Sequence, residues 1–268
     1  MNGKKEVLEF WDLRSCGEEL FLKTLDKAGY EEQMHYRYEL EPYIIDFADF
    51  LNSKDKKVLE IGVGLGADHQ KFAESGADLT GIDLTDRAIE HVKRRFTLFN
   101  LNSSLNTGDA EDLSFENNTF DVVYSWGVIH HSPRTPEAIK EILRVLKPGG
   151  VAKIMIYHKW SMVGFMLWVR YALLRLKPFT GLAEIYSSYL ESPGTKAYTI
   201  DEAHDLFSGF ENVSIETVLT HGDLLTSKAG QRHEGTLLNI ARIIWPRFII
   251  KKLFGKYGLF MLISAEKN

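Results

Sequence analysis

At 268 residues the chain is long enough to bury a substantial core, and 44% hydrophobic with 26% charged residues is an ordinary globular composition. A net charge of -5 offers no general attraction to polyphosphate, so no nucleic-acid partner is expected. The single cysteine, Cys16, excludes an intrachain disulfide and a cysteine-rich zinc site; it reads as a small buried residue, and no metal is expected.

The first six residues lack the apolar core of a signal peptide, so a cytoplasmic location is expected. Residues 1–50 read as helices. Val7, Phe10, Trp11 and Leu13 make one short apolar face, and Leu20, Phe21 and Leu25 another. Tyr30, His35, Tyr36, Tyr38 and Tyr43 form an aromatic cluster, and Pro42 to Leu51 reads as an amphipathic helix leading to the first strand. From Val58 onward strands and helices alternate, which implies a parallel sheet with right-handed crossovers. Strands are expected near 57–61, 78–83, 105–109, 120–126 and 150–157, and helices near 66–75, 85–98 and 135–147. Thr135-Pro136-Glu137 reads as a helix start with a hydroxyl N-cap and proline at the first position, and Lys147-Pro148-Gly149-Gly150 as the matching stop. An insertion from Trp160 to Lys196 follows. A helix near 199–208 and a strand near 213–219 resume the pattern. After a second insertion, Gly258 to Ile263 reads as the last strand.

The stretch Val58-Leu59-Glu60-Ile61-Gly62-Val63-Gly64-Leu65-Gly66 organises the rest. Apolar strand residues end at three glycines on alternate positions, and a helical pattern opens at Ala67. Glycines permit a tight turn and close approach of a ligand to bare main chain, while the helix start offers unpaired N–H groups. This suits a nucleotide-like ligand. Asp83 ends the next strand about 20 positions later, where an acidic residue accepts from ribose hydroxyls. Gly62-x-Gly64-x-x-Ala67 also satisfies the dinucleotide fingerprint, so an NAD-dependent enzyme is the rival reading.

Three more stretches follow in order: Asn106-Thr107-Gly108-Asp109-Ala110-Glu111-Asp112-Leu113, Phe120-Asp121-Val122-Val123-Tyr124-Ser125-Trp126-Gly127, and Leu146-Lys147-Pro148-Gly149-Gly150. Over roughly Lys56 to Tyr157 the chain resembles the class I S-adenosylmethionine-dependent methyltransferases of the methyltransferase domain 11 type, especially the branch with the ubiquinone and menaquinone methyltransferases. The Gly108-Asp109-Ala110-Glu111-Asp112 motif and the Ser125-Trp126-Gly127 end of the fourth strand count against the NAD reading. The resemblance implies an α/β Rossmann-like fold with a mostly parallel seven-stranded sheet and an antiparallel last strand. Here that fold carries a helical N-terminal arm and two helical insertions. Residues 1–50 would form a lid and residues 51–268 the methyltransferase domain, with insertions about 158–198 and 220–256 as a substrate cap. Both insertions leave from carboxyl ends of strands, where ligands sit in such sheets.

The resemblance also implies roles for single residues. Gly62, Gly64 and Gly66 would face the methionine part of S-adenosylmethionine, with Glu60 ordering its amino end. Asp83 would hold the ribose and Leu84 lie against the adenine. Asp109 would accept from the adenine amino group and the Ala110 backbone donate to the ring, with Glu111 in the same motif. Ser125, Trp126 and Gly127 would lie beside the methionine tail and the methyl group, and Tyr36 and Arg37 would reach the cofactor carboxylate from the lid. Methyl transfer is an in-line displacement that leaves S-adenosylhomocysteine, and it needs a base only when the acceptor must lose a proton. His130, His131, Tyr157 and His158, after the fourth and fifth strands, are the candidates.

The insertions are strongly apolar. Trp160 to Leu176 is too short, and too interrupted by Arg170 and Arg175, to span a bilayer. Leu237 to Phe254 sets Ile243, Ile244, Trp245, Phe248, Ile249 and Ile250 among Arg242, Arg247, Lys251 and Lys252. This pattern suits peripheral contact with anionic lipid, a homodimer interface or a capped core. The expectation is therefore a methyltransferase acting on a small, apolar or aromatic acceptor. The alternatives are a protein or peptide methyltransferase, or a non-catalytic protein that binds S-adenosylmethionine and serves a partner.

Overall fold

The computed structural model describes residues 2–227 and 236–268 and builds them on one seven-stranded sheet. The strands are β1 (Lys57–Ile61), β2 (Asp78–Asp83), β3 (Ser104–Thr107), β4 (Phe120–Trp126), β5 (Leu146–Tyr157), β6 (Glu211–Val218) and β7 (Phe260–Glu266), in the order β3-β2-β1-β4-β5-β7-β6. Only β7 runs antiparallel to its neighbours. The strand order reverses between β1 and β4, where a crevice opens beyond the carboxyl ends.

Alternation along the strands decides which helices cover which face. Leu59, Ile61 and Val123 point one way, onto Ile139 and Ile142 of helix Thr135–Val145 and onto Phe207 after helix Ile200–Leu206. Val58, Val122 and Tyr124 point the other way, onto Phe72 of helix Ala67–Glu74 and Val92 and Phe96 of helix Asp86–Phe99. Both faces are covered, which is why these central strands are near-continuous apolar runs.

Several boundaries differ from the sequence expectation for local reasons. β3 stops at Thr107 because the Gly108 N–H turns back to Asp83 O (2.8 Å) and Asp109 pairs with Asp112 in an isolated bridge. β5 starts at Leu146, opposite Phe120, and a register shift between Phe120 and Val122 absorbs the proline and glycines read as a helix stop. β6 begins earlier, at Glu211, and β7 later, at Phe260. Thr135 is not the cap of its helix. Arg134 holds that position, and the Thr135 hydroxyl donates backward to Ile129 O (3.1 Å) and Ser132 O (3.2 Å). The helix expected over Pro42 to Leu51 breaks at Asp49, φ 55°, into helix Tyr43–Ala48 and a short 3-10 turn, Phe50–Ser53. Leu13 and Leu25 are exposed, and Leu25 lies outside any helix, so neither joins an apolar face.

The N-terminal arm has two parts. Helix Lys27–Leu40, capped by the Asp26 carboxylate, is fastened to the core by the fully buried Arg95. That guanidinium donates to Gln33 Oε1 (2.8 Å) and Tyr30 O (3.1 Å) of the arm, and to Gln70 Oε1 (2.6 Å) and Leu65 O (2.9 Å) beside the glycine loop. Helix Asn2–Leu13 precedes it and reaches the end of β3, where Lys4 bonds Asp109 and Glu111. The short helix Glu18–Phe21 between them is held by Glu18, which accepts from Arg87 Nε (2.7 Å).

The first insertion holds helices Met162–Tyr171 and Leu182–Tyr189. The second holds His221–Leu224, Thr236–Ile244 and Arg247–Leu253, and its residues 228–235 lie outside the described residues. One buried carboxylate fastens both. Asp223 accepts from Val163 N (3.1 Å), Thr220 N (2.8 Å) and Leu259 N (2.9 Å), joining the two insertions to the lead into β7.

Candidate functional site

Above the carboxyl ends of β1, β2, β4 and β5 lies a cavity of about 620 Å³, roofed by the N-terminal helix and both insertions. Its floor is the glycine loop. Gly62, at φ 84°, is packed so closely that a Cβ would stand 2.1 Å from Val128 Cγ2, whereas a Cβ on Gly64 would meet nothing within 4 Å. Gly64 therefore presents bare main chain to open space, the geometry a ligand lying on the loop needs. Asp83 reaches over from β2. Its Oδ2 accepts from Gly64 N (3.2 Å), and its Oδ1 from Thr85 N (3.0 Å) and Thr85 Oγ1 (2.9 Å). Burial pushes its carboxyl up, against those hydrogen bonds.

At the β3 end, Asp109, Ala110 and Glu111 line the same cavity, as does Leu84. Asp109 Oδ1 caps the turn by accepting from Glu111 N (2.9 Å), and its Oδ2 takes Lys4. Glu111 is more fully engaged. It accepts from Lys4 Nζ (2.6 Å), Ser132 Oγ, Arg134 N (2.9 Å) and Arg134 Nε (3.0 Å). Burial opposes its ionisation, but these donors outweigh it and hold the carboxyl down at about 2. Glu111 is thus a clamp between the turn after β3 and the turn after β4.

The first two turns of helix Ala67–Glu74 carry a buried polar hub that the sequence reading did not include. Asp68 accepts from Arg37 Nε (2.9 Å) and Nη2 (2.5 Å), Tyr38 OH (3.0 Å) and Tyr124 OH (2.8 Å). Burial works against its charge, but Arg37 and the hydroxyls prevail and its carboxyl lies below the usual range. Next to it, Glu60 Oε2 meets His69 Nδ1 at 2.8 Å, and His69 Nε2 meets Ser103 Oγ at 3.0 Å. Burial pushes Glu60 far up and His69 down to about 3, both toward the uncharged form. Glu41, also on the cavity wall, is pushed up to about 7, chiefly by burial.

Beyond β4 and β5 the expected candidates separate. Trp126, Gly127, His131 and Tyr157 line the cavity, and so does Arg37. His130, Ser125, His158 and Tyr36 do not. His130 is fully buried, with both ring nitrogens unpartnered among the described residues, and its ring lies against that of Tyr157, tilted by 40° with centroids 4.0 Å apart. Burial, His131 and Lys196 hold it far below the ordinary histidine range. Ser125 is buried in β4, and His158 Nδ1 faces Gly258 O at 3.2 Å, a contact between β5 and the lead into β7. Tyr36 packs on Phe21. Cys16, expected to be buried, instead opens onto the cavity, where burial by surrounding atoms and the charges of Glu191 and Glu41 push its thiol up to about 12. The first insertion adds Glu191, which no motif announced. It accepts from Tyr157 OH (2.7 Å), and its Oε2 stands 3.3 Å from His131 Nε2. His130, His131 and Glu191 bring ligand-type atoms within 4.8 Å of one another.

Residues 59–154, from β1 into β5, match the family model of a methyltransferase domain. The fold as a whole is that of a Pyrococcus horikoshii protein, at TM-score 0.55 and 18% identity over 97% of this chain and 99% of that one. The stretch from β1 into β5 is thus similar to methyltransferase domains. Among similar proteins, the phthiotriol/phenolphthiotriol dimycocerosates methyltransferase of Mycobacterium leprae is 38% identical over 102 residues, 37% of each chain. The demethylmenaquinone methyltransferase of Tropheryma whipplei is 28% identical over 59% of this chain and 68% of its own. The chain spans only about a third of the length of the first relatives it matches. The shared region holds the glycine loop, Asp83 and Asp109; Lys4, Arg37 and Glu191 lie outside it.

Proposed function

We propose that this chain transfers the methyl group of S-adenosylmethionine to a small apolar or aromatic acceptor taken from a lipid surface. One observation carries the reading: a single cavity joins the open glycine floor at Gly64, the carboxylates Asp83 and Asp109, and an apolar roof that includes Phe165, Leu174 and Trp245. In that cavity Gly62, Gly64 and Gly66 would carry the methionine portion, Asp83 the ribose, and Asp109 with the Ala110 backbone the adenine. Bound there, the sulfonium would supply an activated methyl group. The chain's part is then alignment and exclusion of water. Residues 1–50 would act as the lid over the domain 51–268, with Lys4 holding the adenine end shut. The relatives named for a dimycocerosate and a demethylmenaquinone support an acceptor of this kind.

A methyl-release assay over an acceptor panel tests turnover, and Asp83→Ala tests the site. Removing a charge-assisted hydrogen bond of about 1.5–3 kcal/mol should weaken S-adenosylmethionine binding roughly 10- to 100-fold by calorimetry. An unchanged affinity would mean that Asp83 does not hold the ligand.

Membrane contact is the second part of the proposal. Ile243, Ile244 and Phe248 are each more than 70% exposed, and Lys251 and Lys252 follow on helix Arg247–Leu253. Phe165 and Leu174 are both cavity wall and exposed surface, so the chamber mouth lies among apolar side chains. Apolar residues flanked by cations suit an anionic lipid surface. The protein should float with vesicles containing phosphatidylserine and not with neutral ones. Lys251→Glu with Lys252→Glu should cut that binding roughly tenfold or more. Absence of flotation, with a dimer in sedimentation, would make this face a subunit interface instead.

A further inference from the structure

We infer that Asp223, which does not itself reach the cavity, is the positioning residue for the acceptor. By holding both insertions it sets the spacing of the chamber walls, and so how wide an acceptor they admit; this rests on the methyl-transfer reading above.

Asp223 is fully buried, and four hydrogen bonds reach its carboxylate. Oδ1 accepts from Val163 N (3.1 Å), and Oδ2 accepts from Thr220 N (2.8 Å), Thr220 Oγ1 (2.8 Å) and Leu259 N (2.9 Å). Thr220 and Asp223 form a capping box on helix His221–Leu224, which accounts for the two bonds from Thr220. The bonds from Val163 and Leu259 go beyond what a cap needs, and they come from residues 60 and 36 positions away. All four groups are donors. Only a side chain with two acceptor oxygens satisfies them, because an amide of the same shape would turn its own N–H groups onto one of theirs.

Each of these donors belongs to a residue on the cavity wall. Val163, Thr220 and Leu259 all line the cavity, whereas Asp223 does not. Val163 lies in the first turn of helix Met162–Tyr171, which also brings Phe165 to the wall, and Leu259 leads into Phe260. The main chain of Asp223 adds a fourth piece of wall, since its C=O accepts from the indole of Trp245 (2.8 Å). Arg247 secures the same turn by donating to Leu224 O (2.9 Å) and Leu225 O (3.0 Å). The outer wall of the chamber is thus one unit keyed on a single carboxylate. The floor is held separately: Asp83 is fixed by Gly64 and Thr85, and Asp109 by Glu111 N and Lys4. Releasing Val163 or Leu259 would let the wall shift while the floor stays. In an apolar pocket a misfit of one methylene changes discrimination roughly 10- to 200-fold, so a small shift of the wall is read as selectivity.

Two fluorescent phenols of different width, 2-naphthol and 1-pyrenol, serve as probes, with S-adenosylhomocysteine as the probe of the floor. In Asp223→Asn the ratio of the two phenol affinities should move roughly tenfold or more toward 1-pyrenol. S-adenosylhomocysteine affinity should stay within about twofold of wild type, as for a distant site. Asp223→Glu keeps two acceptor oxygens and should restore part of the selectivity. A merely structural role would lower stability without moving the ratio. An unchanged ratio, or a parallel loss of all three ligands, would overturn the inference. If Asp223→Asn does not fold, Thr220→Val decides: it removes one of the four donors and should shift the ratio in the same direction by a smaller factor, and no shift would overturn the inference. If the wild type binds S-adenosylhomocysteine but neither phenol, the inference fails and the cofactor reading stands. If it does not bind S-adenosylhomocysteine, the earlier reading fails.

Discussion

Asp68→Ala is expected to cost the fold about 3–5 kcal/mol, the range for removing one partner of a buried ion pair. Asp68 is only 3% exposed and takes four donated hydrogen bonds from three residues on two elements: Arg37 and Tyr38 of helix Lys27–Leu40 and Tyr124 of β4. Alanine would leave two hydroxyls without their acceptor and Arg37 with only Glu41, at 3.5 Å, and each unsatisfied buried group adds its own desolvation cost. Because the Asp68 carboxyl lies below its ordinary value, the sign of its pH dependence follows. Its contribution is fully present above the unfolded value, about 3.9, and is lost as pH falls through the lower folded value. Urea unfolding of wild type and variant at neutral pH checks the size. A loss under about 1 kcal/mol would mean that the hub is wet enough to behave as a surface pair. The same substitution should loosen the arm, since Arg37 holds helix Lys27–Leu40 against the glycine loop through this one carboxylate.

The second large effect separates two glycines that stand two positions apart in sequence. Gly62→Ala should destabilise the fold by about 2–5 kcal/mol, combining about 1–2 for a left-handed alanine with about 1–3 for displacing a packed side chain. Its Cβ would stand 2.1 Å from Val128 Cγ2. Gly64→Ala, at φ 50° with nothing within 4 Å, should cost only about 1–2 kcal/mol from the backbone conformation alone. Its methyl group would occupy space assigned to the ligand, so S-adenosylmethionine affinity should fall at least tenfold in a protein that still folds. Unfolding curves and calorimetry on both variants give the contrast. Equal affinity for Gly64→Ala and wild type would remove the loop from the binding site.

The sheet was legible because its strands are buried on both faces, so β1, β2 and β4 appear as apolar runs at their observed bounds. The glycine loop and Asp83 were legible because backbone geometry at a strand–helix turn restricts residue type. What escaped the reading depends on contacts distant in sequence. Arg95 reads as one more cation on helix Asp86–Phe99, and only the fold brings Gln33, Tyr30 and Leu65 around it. Asp68 looks like an ordinary acidic residue in a first helical turn, and Asp223 like the end of a capping box; each is a node only because other elements converge on it. His130 and His131 are adjacent in sequence, yet the turn after β4 buries the first and faces the second to the cavity. Glu191 lies in the segment Tyr186 to Tyr198, which reads as a polar loop lining the chamber mouth, and Glu191 does line the cavity; its place beside Tyr157 comes from the packing of the first insertion.

Calorimetric titration of the wild-type protein with S-adenosylmethionine, and separately with NAD, bears most directly on the whole account. One site per chain for S-adenosylmethionine, weakened in Asp83→Ala, and no heat from NAD is the expected result. Saturable binding of NAD with none of S-adenosylmethionine would contradict it.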